Sequence, residues 1–172
     1  MKFKTGNIVF FNWGGFYSSL IERHNKKEYG QKGYTHIGII TKIKKNEVQI
    51  HEALSRGFVK SWYPKSFLED KKKEGKVEIK EINKTLKLVE ENADQYLGNS
   101  YAWKDIISII ISSIFGFRLL RLTGADKLIC SEAVARILYD ASNKKINFAE
   151  EYDKPYDLIT PMDIYYSEQF DA

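Results

Sequence analysis

Two β-rich runs, Tyr34–Ile43 (YTHIGIITKI) and Glu47–Leu54 (EVQIHEAL), are separated only by the polar triplet Lys44-Lys45-Asn46. So short a connection joins neighbouring antiparallel strands and is too brief for a parallel crossover, so the pair reads as a β-hairpin. Other stretches extend the sheet. Asn7–Phe11 is an apolar run ended by Trp13-Gly14-Gly15, and Gly57–Trp62 (GFVKSW) reads as a further strand. Lys76–Ile82 (KVEIKEI) alternates apolar and charged residues, the pattern of a half-buried strand.

Helical signals are brief in the first half and dominant in the second. Phe16–Arg23 supports one or two helical turns before the polar, loop-like His24–Gly33, and Ser66–Glu69 opens another turn. Thr85–Leu97 has apolar residues near helical spacing and is stopped by Gly98-Asn99. Tyr101–Leu122 contains the run IISIIISSIFGF followed by Arg118 and Arg121. In Ile129–Ala141, Ala133, Val134, Ile137, Leu138 and Ala141 fall on one helical stripe. Strands early and helices late predict an α+β fold with a mainly antiparallel sheet, and 172 residues without a linker predict a single domain, 1–172.

Composition narrows the chemistry. At 43% hydrophobic the chain can build a core, and one cysteine excludes both a disulfide framework and a cysteine-based zinc site. No metal or organic cofactor is expected. The 27 basic and 23 acidic residues leave a charge of +4, much of it in short lysine groups flanked by acids. No arginine-rich stripe with interleaved aromatics accompanies them, so they read as solvated surface and no nucleic-acid partner is expected. The N-terminal apolar stretch is broken by Asn12, Trp13 and two glycines, reads as a strand rather than an export signal, and points to a cytoplasmic protein with a reduced thiol. The run Ile106–Phe117 is too short to span a bilayer as a helix and reads as a buried helix. The arginines after it leave docking of the segment 106–122 on a lipid surface as the alternative reading.

Three residues draw attention as chemistry. Cys130 directly precedes the stripe of Ile129–Ala141, in the first helical turn, where unpaired N–H groups and the helix dipole favour a thiolate and can hold an oxyanion. His36 lies in an apolar strand, where an imidazole needs a partner. Gly38, two residues on and on the same face, reads as open space suited to a cleft. In Ile50-His51-Glu52-Ala53, adjacent residues face opposite sides of the strand, and either Glu52 or His51 could reach the second ring nitrogen of His36 if the hairpin pairs there. A carboxylate in that place fixes the tautomer and stabilises imidazolium. His24, in a lysine-rich stretch, reads as surface.

Two blocks, YTHIGII followed by IHEAL and LGNSYAWKD followed by LICSEAVARIL, resemble a known family. The second is similar to the Gly-x-x-Tyr-x-Trp … Asp-Cys-Ser pattern of NlpC-type cysteine peptidases. With the histidine strand ahead of the cysteine, the order resembles the circularly permuted branch of YiiX-like bacterial proteins and, more distantly, the lecithin:retinol acyltransferase-like enzymes. The opening Thr5–Phe11 and the tail Pro161–Ser167 are also similar to that branch. The resemblance implies a papain-like, circularly permuted NlpC-type fold, with an antiparallel sheet or small barrel packed against helices. It further implies Cys130 as nucleophile, His36 as base, Glu52 as orienting group and Tyr101 as a hydroxyl serving the oxyanion or the substrate. Asn7 in place of the usual Asp, His51 beside Glu52, and Lys104-Asp105 in place of Gly-Gly depart from the pattern. The implied activity is a cysteine peptidase or amidase acting on a small peptide or cell-wall-type fragment. The alternatives are a lipid thiolesterase or acyltransferase at a membrane surface, and a binding module that has lost turnover.

Overall fold

The computed structural model describes residues 2–14, 16–31, 33–101 and 127–170. Strands β1 (Ile8–Phe11), β2 (His36–Ile43), β3 (Glu47–Leu54), β4 (Gly57–Pro64) and β5 (Val77–Lys80) form one sheet in the order β4-β3-β2-β1-β5. Every pairing in it is antiparallel. Since β4 and β5 lie at opposite ends of that order, the described strands form an open sheet, not the small barrel that was the other expectation. A second, parallel pair joins β6 (Ser100–Tyr101) to β7 (Lys127–Leu128). Helices α1 (Phe16–Tyr29), α2 (Lys65–Lys73), α3 (Val89–Asp94), α4 (Cys130–Ala141), α5 (Phe148–Glu151) and α6 (Pro161–Tyr166) complete an α+β architecture, with a short 3-10 helix at Tyr156–Leu158.

The sheet is a middle layer with a core on each side, and strand alternation sorts the residues between them. Ile8 and Phe10 of β1 and Ile37 and Ile39 of β2 join the larger core, against Ala133, Val134, Ile137, Leu138 and Ala141 of α4. The stripe in α4 therefore does what its spacing predicts. Burying Ile137 and Leu138 completely contributes about 1.5–3 kcal/mol for each side chain. Val9 and Phe11 face the opposite way, into a smaller core with Ile40, Val48, Ile50, Val77 and Leu68 of α2. Because β1 is covered on both faces, all four of its residues are buried, which explains a continuous apolar run where a half-exposed strand would alternate.

Tertiary contacts reset several element boundaries. The loop expected over His24–Gly33 is instead helical as far as Tyr29. Inside that extension Asn25 is buried and donates to the Tyr34 carbonyl, and the Tyr29 hydroxyl donates to Asp163 at 2.8 Å. Asp163 also closes a capping box with Thr160 at the start of α6, so α1 is docked onto the C-terminal segment. Conversely, the helix expected over Thr85–Leu97 is confined to Val89–Asp94, because Leu88 takes a left-handed conformation (φ 50°) ahead of it. Tyr101 is extended and paired with Leu128. The segment 106–122, read as a buried helix with membrane contact as the alternative, lies outside the described residues. Among the described residues no helix is long and apolar enough to cross a membrane.

Candidate active site

The hairpin register sets the site. Phe11 pairs with His36 across β1 and β2, and Gly38 pairs with Glu52 across β2 and β3. His36 and Glu52 therefore share the small-core face as diagonal neighbours, within reach for long side chains. Nε2 of His36 lies 2.8 Å from Oε2 of Glu52. Glu52 is fully buried and the His36 side chain is only 10% exposed, so the contact is shielded from water. An ionised carboxylate can only accept, so Nε2 carries the proton and Nδ1 is left for another partner.

That partner comes from the other side of the sheet. Cys130 is the first residue of α4, which packs on the large-core face, while His36 is the first residue of β2. Both therefore sit at element ends, where a thiol carried by one layer can meet an imidazole carried by the other. The Cys130 side chain lies close enough to His36 to favour its charged form, as a hydrogen-bond partner and as a charge. Ser131 fixes this helix start by donating to the Ile159 carbonyl at 2.6 Å. The first intrahelical bond of α4 runs from the Ala133 N–H to the Ile129 carbonyl. The N–H groups of Cys130, Ser131 and Glu132 precede it and face the start of the helix.

Electrostatics favour a charged histidine. Burial alone pulls the His36 pKa down, but the hydrogen bonds and charges of Cys130 and Glu52 outweigh it and push the value up to about 10. Burial likewise opposes ionisation of Glu52, yet its hydrogen bond to His36, the imidazolium charge, and the Ser61 and Tyr63 hydroxyls hold it below the ordinary carboxylate value. The two shifts agree: each group supports the charged form of the other.

His51 faces away from His36. It lies on the opposite face of β3, with Nδ1 2.8 Å from the Thr41 hydroxyl and Nε2 2.8 Å from Asp94. Lys60 also reaches Asp94, at 2.9 Å. Burial lowers the His51 pKa, and the pair ties β3 to α3. His24, expected on the surface, is half-buried in α1, and burial lowers its pKa too. Tyr101 is described through its backbone alone; it pairs with Leu128, two residues before Cys130. Among the described residues no group of His, Cys, Asp and Glu could hold a metal ion.

Two features escape the sequence reading. Tyr63 donates its hydroxyl to Oε1 of Glu52 at 2.8 Å. It is visible in the sequence only if the strand after Gly57 runs beyond Trp62, whereupon alternation puts Val59, Ser61 and Tyr63 on the face of Glu52. The second is Gly38. The space beside it, expected to be an open cleft, is filled. A Cβ there would come within 2.5 Å of Ile50 Cγ2, 3.1 Å of the His51 carbonyl oxygen and 3.2 Å of Glu52 Cβ. Glycine is required because β3 approaches so closely, and that approach brings Glu52 to His36. Gly38→Ala is expected to push β3 away, costing about 1–3 kcal/mol of stability in chemical denaturation. An unchanged unfolding midpoint would show that the strands have room to spare.

A scan against models of protein families and a search of curated proteins found no match to this chain.

Proposed function

We propose that the chain is a cysteine hydrolase that cleaves an amide bond, in a small peptide or cell-wall-type fragment, through an acyl-enzyme on Cys130. The observation that carries this reading is His36, which joins Cys130 on one side to a buried, ionised Glu52 on the other. A buried imidazole whose protonation is favoured by a thiol and a carboxylate together is a costly arrangement for a purely structural residue. The same three residues carry the resemblance to the permuted, papain-like NlpC-type enzymes, and the open antiparallel sheet with a helix headed by the cysteine is compatible with that fold.

In the first step the Cys130 thiolate attacks the scissile carbonyl carbon, and the carbonyl π electrons move onto oxygen. The N–H groups at the start of α4 stabilise that oxyanion, with the Tyr101 hydroxyl as the further donor implied by the resemblance. His36 gives its Nδ1 proton to the leaving nitrogen, the C–N bond breaks, and a thioester remains on Cys130. A water then gives a proton to His36 and attacks the thioester, releasing the acid and regenerating the thiolate. Glu52 stays ionised throughout and stabilises the imidazolium. The cycle requires a reduced thiol, as a reducing compartment such as the cytoplasm provides.

The test is the pH dependence of Cys130 alkylation by iodoacetamide, in the wild type and in His36→Ala. Wild-type alkylation is expected to persist well below pH 8.5, the ordinary cysteine value, and to lose that acid limb in the variant. The sign follows from the coupling: His36 stays protonated up to about pH 10, so the ion pair spans neutral pH. An ordinary thiol titration, unchanged by His36→Ala, would exclude the hydrolase.

A further inference from the structure

We propose that Tyr63 is a positioning residue for this site: its hydroxyl, bonded to Oε1 of Glu52, turns the carboxylate so that Oε2 meets Nε2 of His36. The inference rests on the Cys130–His36 reading and adds a fourth residue to it. Glu52 is fully buried, so each of its oxygens needs a partner within the protein. One contact alone would not set the carboxylate plane, because the terminal torsion of a glutamate is broad. Two contacts on opposite oxygens, His36 on Oε2 and Tyr63 on Oε1, both at 2.8 Å, do set it.

The direction of each bond matters as much as its length. Burial and the charge of Glu52 hold the Tyr63 phenol well above its ordinary value, so it remains a donor across the working range. A donor on Oε1 favours the ionised carboxylate, which can accept from His36 but cannot donate to it. The groups facing this carboxylate are His36 from β2 and Ser61 and Tyr63 from β4. Cys130 acts beyond His36, and Arg56 acts on Tyr63. The ring is fixed independently of its hydroxyl. It stacks on Phe67 of α2 at 5.9 Å between centroids and lies 6.1 Å from Phe11, whose ring is in turn 5.5 Å from His36. Tyr63→Phe thus removes the hydrogen bond while leaving the ring packing in place.

The experiment measures the iodoacetamide pH profile of Cys130 in the wild type, Tyr63→Phe, Glu52→Gln and the double variant. Each is paired with a thermal melt and with the ¹⁵N NMR titration of His36. Tyr63→Phe is expected to lower the thiolate–imidazolium population on the acid limb by about tenfold, the scale of one hydrogen bond to a charged group. In the Glu52→Gln background the same change is expected to do nothing further, because Tyr63 acts only through Glu52. A profile and a His36 titration unchanged by Tyr63→Phe, while Glu52→Gln moves both, would overturn the positioning role and leave the Cys130–His36 pair standing. So would equal shifts from Tyr63→Phe in both backgrounds. An ordinary wild-type thiol would overturn the pair itself, and the positioning role with it. Should the variant melt too early for the alkylation series, the His36 titration at low temperature still decides, since a packing defect alone leaves the histidine protonated up to high pH.

Discussion

Replacing Cys130 by alanine is expected to lower turnover of an activated peptide or ester by at least about 10³-fold, with the fold intact. The sulfur is the only thiol in the chain. The neighbouring hydroxyl cannot stand in for it, because Ser131 is committed to the Ile159 carbonyl at 2.6 Å and is itself buried. The stability cost is small. Losing one sulfur from a nearly buried site removes a few contacts in a helix otherwise held by Ile137, Leu138 and their neighbours, on the order of 1 kcal/mol. Mass spectrometry of the protein mixed with an activated ester supplies the second readout: an acyl adduct in the wild type and none in the variant. Undiminished turnover by Cys130→Ala would end the covalent mechanism whatever the thiol titration showed.

The hairpin and the helix after Leu128 are legible in the sequence for local reasons: the hairpin from two β-rich runs joined by a short polar turn, the helix from an apolar face of definite period. Glu47–Leu54 begins with Val48 and Ile50 on one face, and Ala133–Ala141 repeats at helical spacing, so burial against the opposing layer leaves little freedom in what these elements become. The site inherits that legibility only in part. The short turn sets the pairs Ile43–Val48 and Lys42–Gln49, but a one-residue shift between Ile40 and Lys42 brings Gly38 opposite Glu52, and that irregularity makes His36 and Glu52 diagonal neighbours. What escapes is set by contacts distant in sequence. The second half of α1 is polar and has no period of its own; it is helical because Asn25 and Tyr29 find partners beyond it, one of them more than a hundred residues away. The choice between Glu52 and His51 also escapes. Composition favours neither; the shift between Ile40 and Lys42 puts Glu52 on the face of His36 and leaves His51 to Thr41 and Asp94 on the far face of the sheet. Gly38 shows the limit most sharply. A missing side chain reads equally well as a cavity or as a close approach, and only the position of Ile50 tells them apart.

Glu52→Gln offers the second large effect, because it keeps the shape of the side chain and reverses one hydrogen bond. Glutamine can still accept from Tyr63 through its carbonyl oxygen, which leaves its NH₂ facing Nε2 of His36. Nε2 must then become the acceptor, so the proton of a neutral imidazole moves to Nδ1, the nitrogen left for Cys130. A histidine in that tautomer cannot take the thiol proton, and its charged form has lost its counter-ion. Turnover is expected to fall by about 10²–10⁴-fold, as when the orienting carboxylate of a triad is replaced by its amide. Stability supplies an independent check through linkage. The folded His36 pKa is raised, so its contribution is fully present below its unfolded value of about 6.5 and is lost as pH rises toward about 10. The folded Glu52 pKa is depressed, so its contribution is present above the unfolded value and is lost as pH falls through the folded one. Together they stabilise the wild type most around pH 4.5–6.5, with a decline on the alkaline side. Thermal melts of Glu52→Gln across pH 5–10 are expected to show a shallower alkaline decline, with only the part due to Cys130 remaining. A variant that keeps both the wild-type pH profile of stability and the wild-type rate would remove Glu52 from the site, and with it the reason a charged histidine can be buried there.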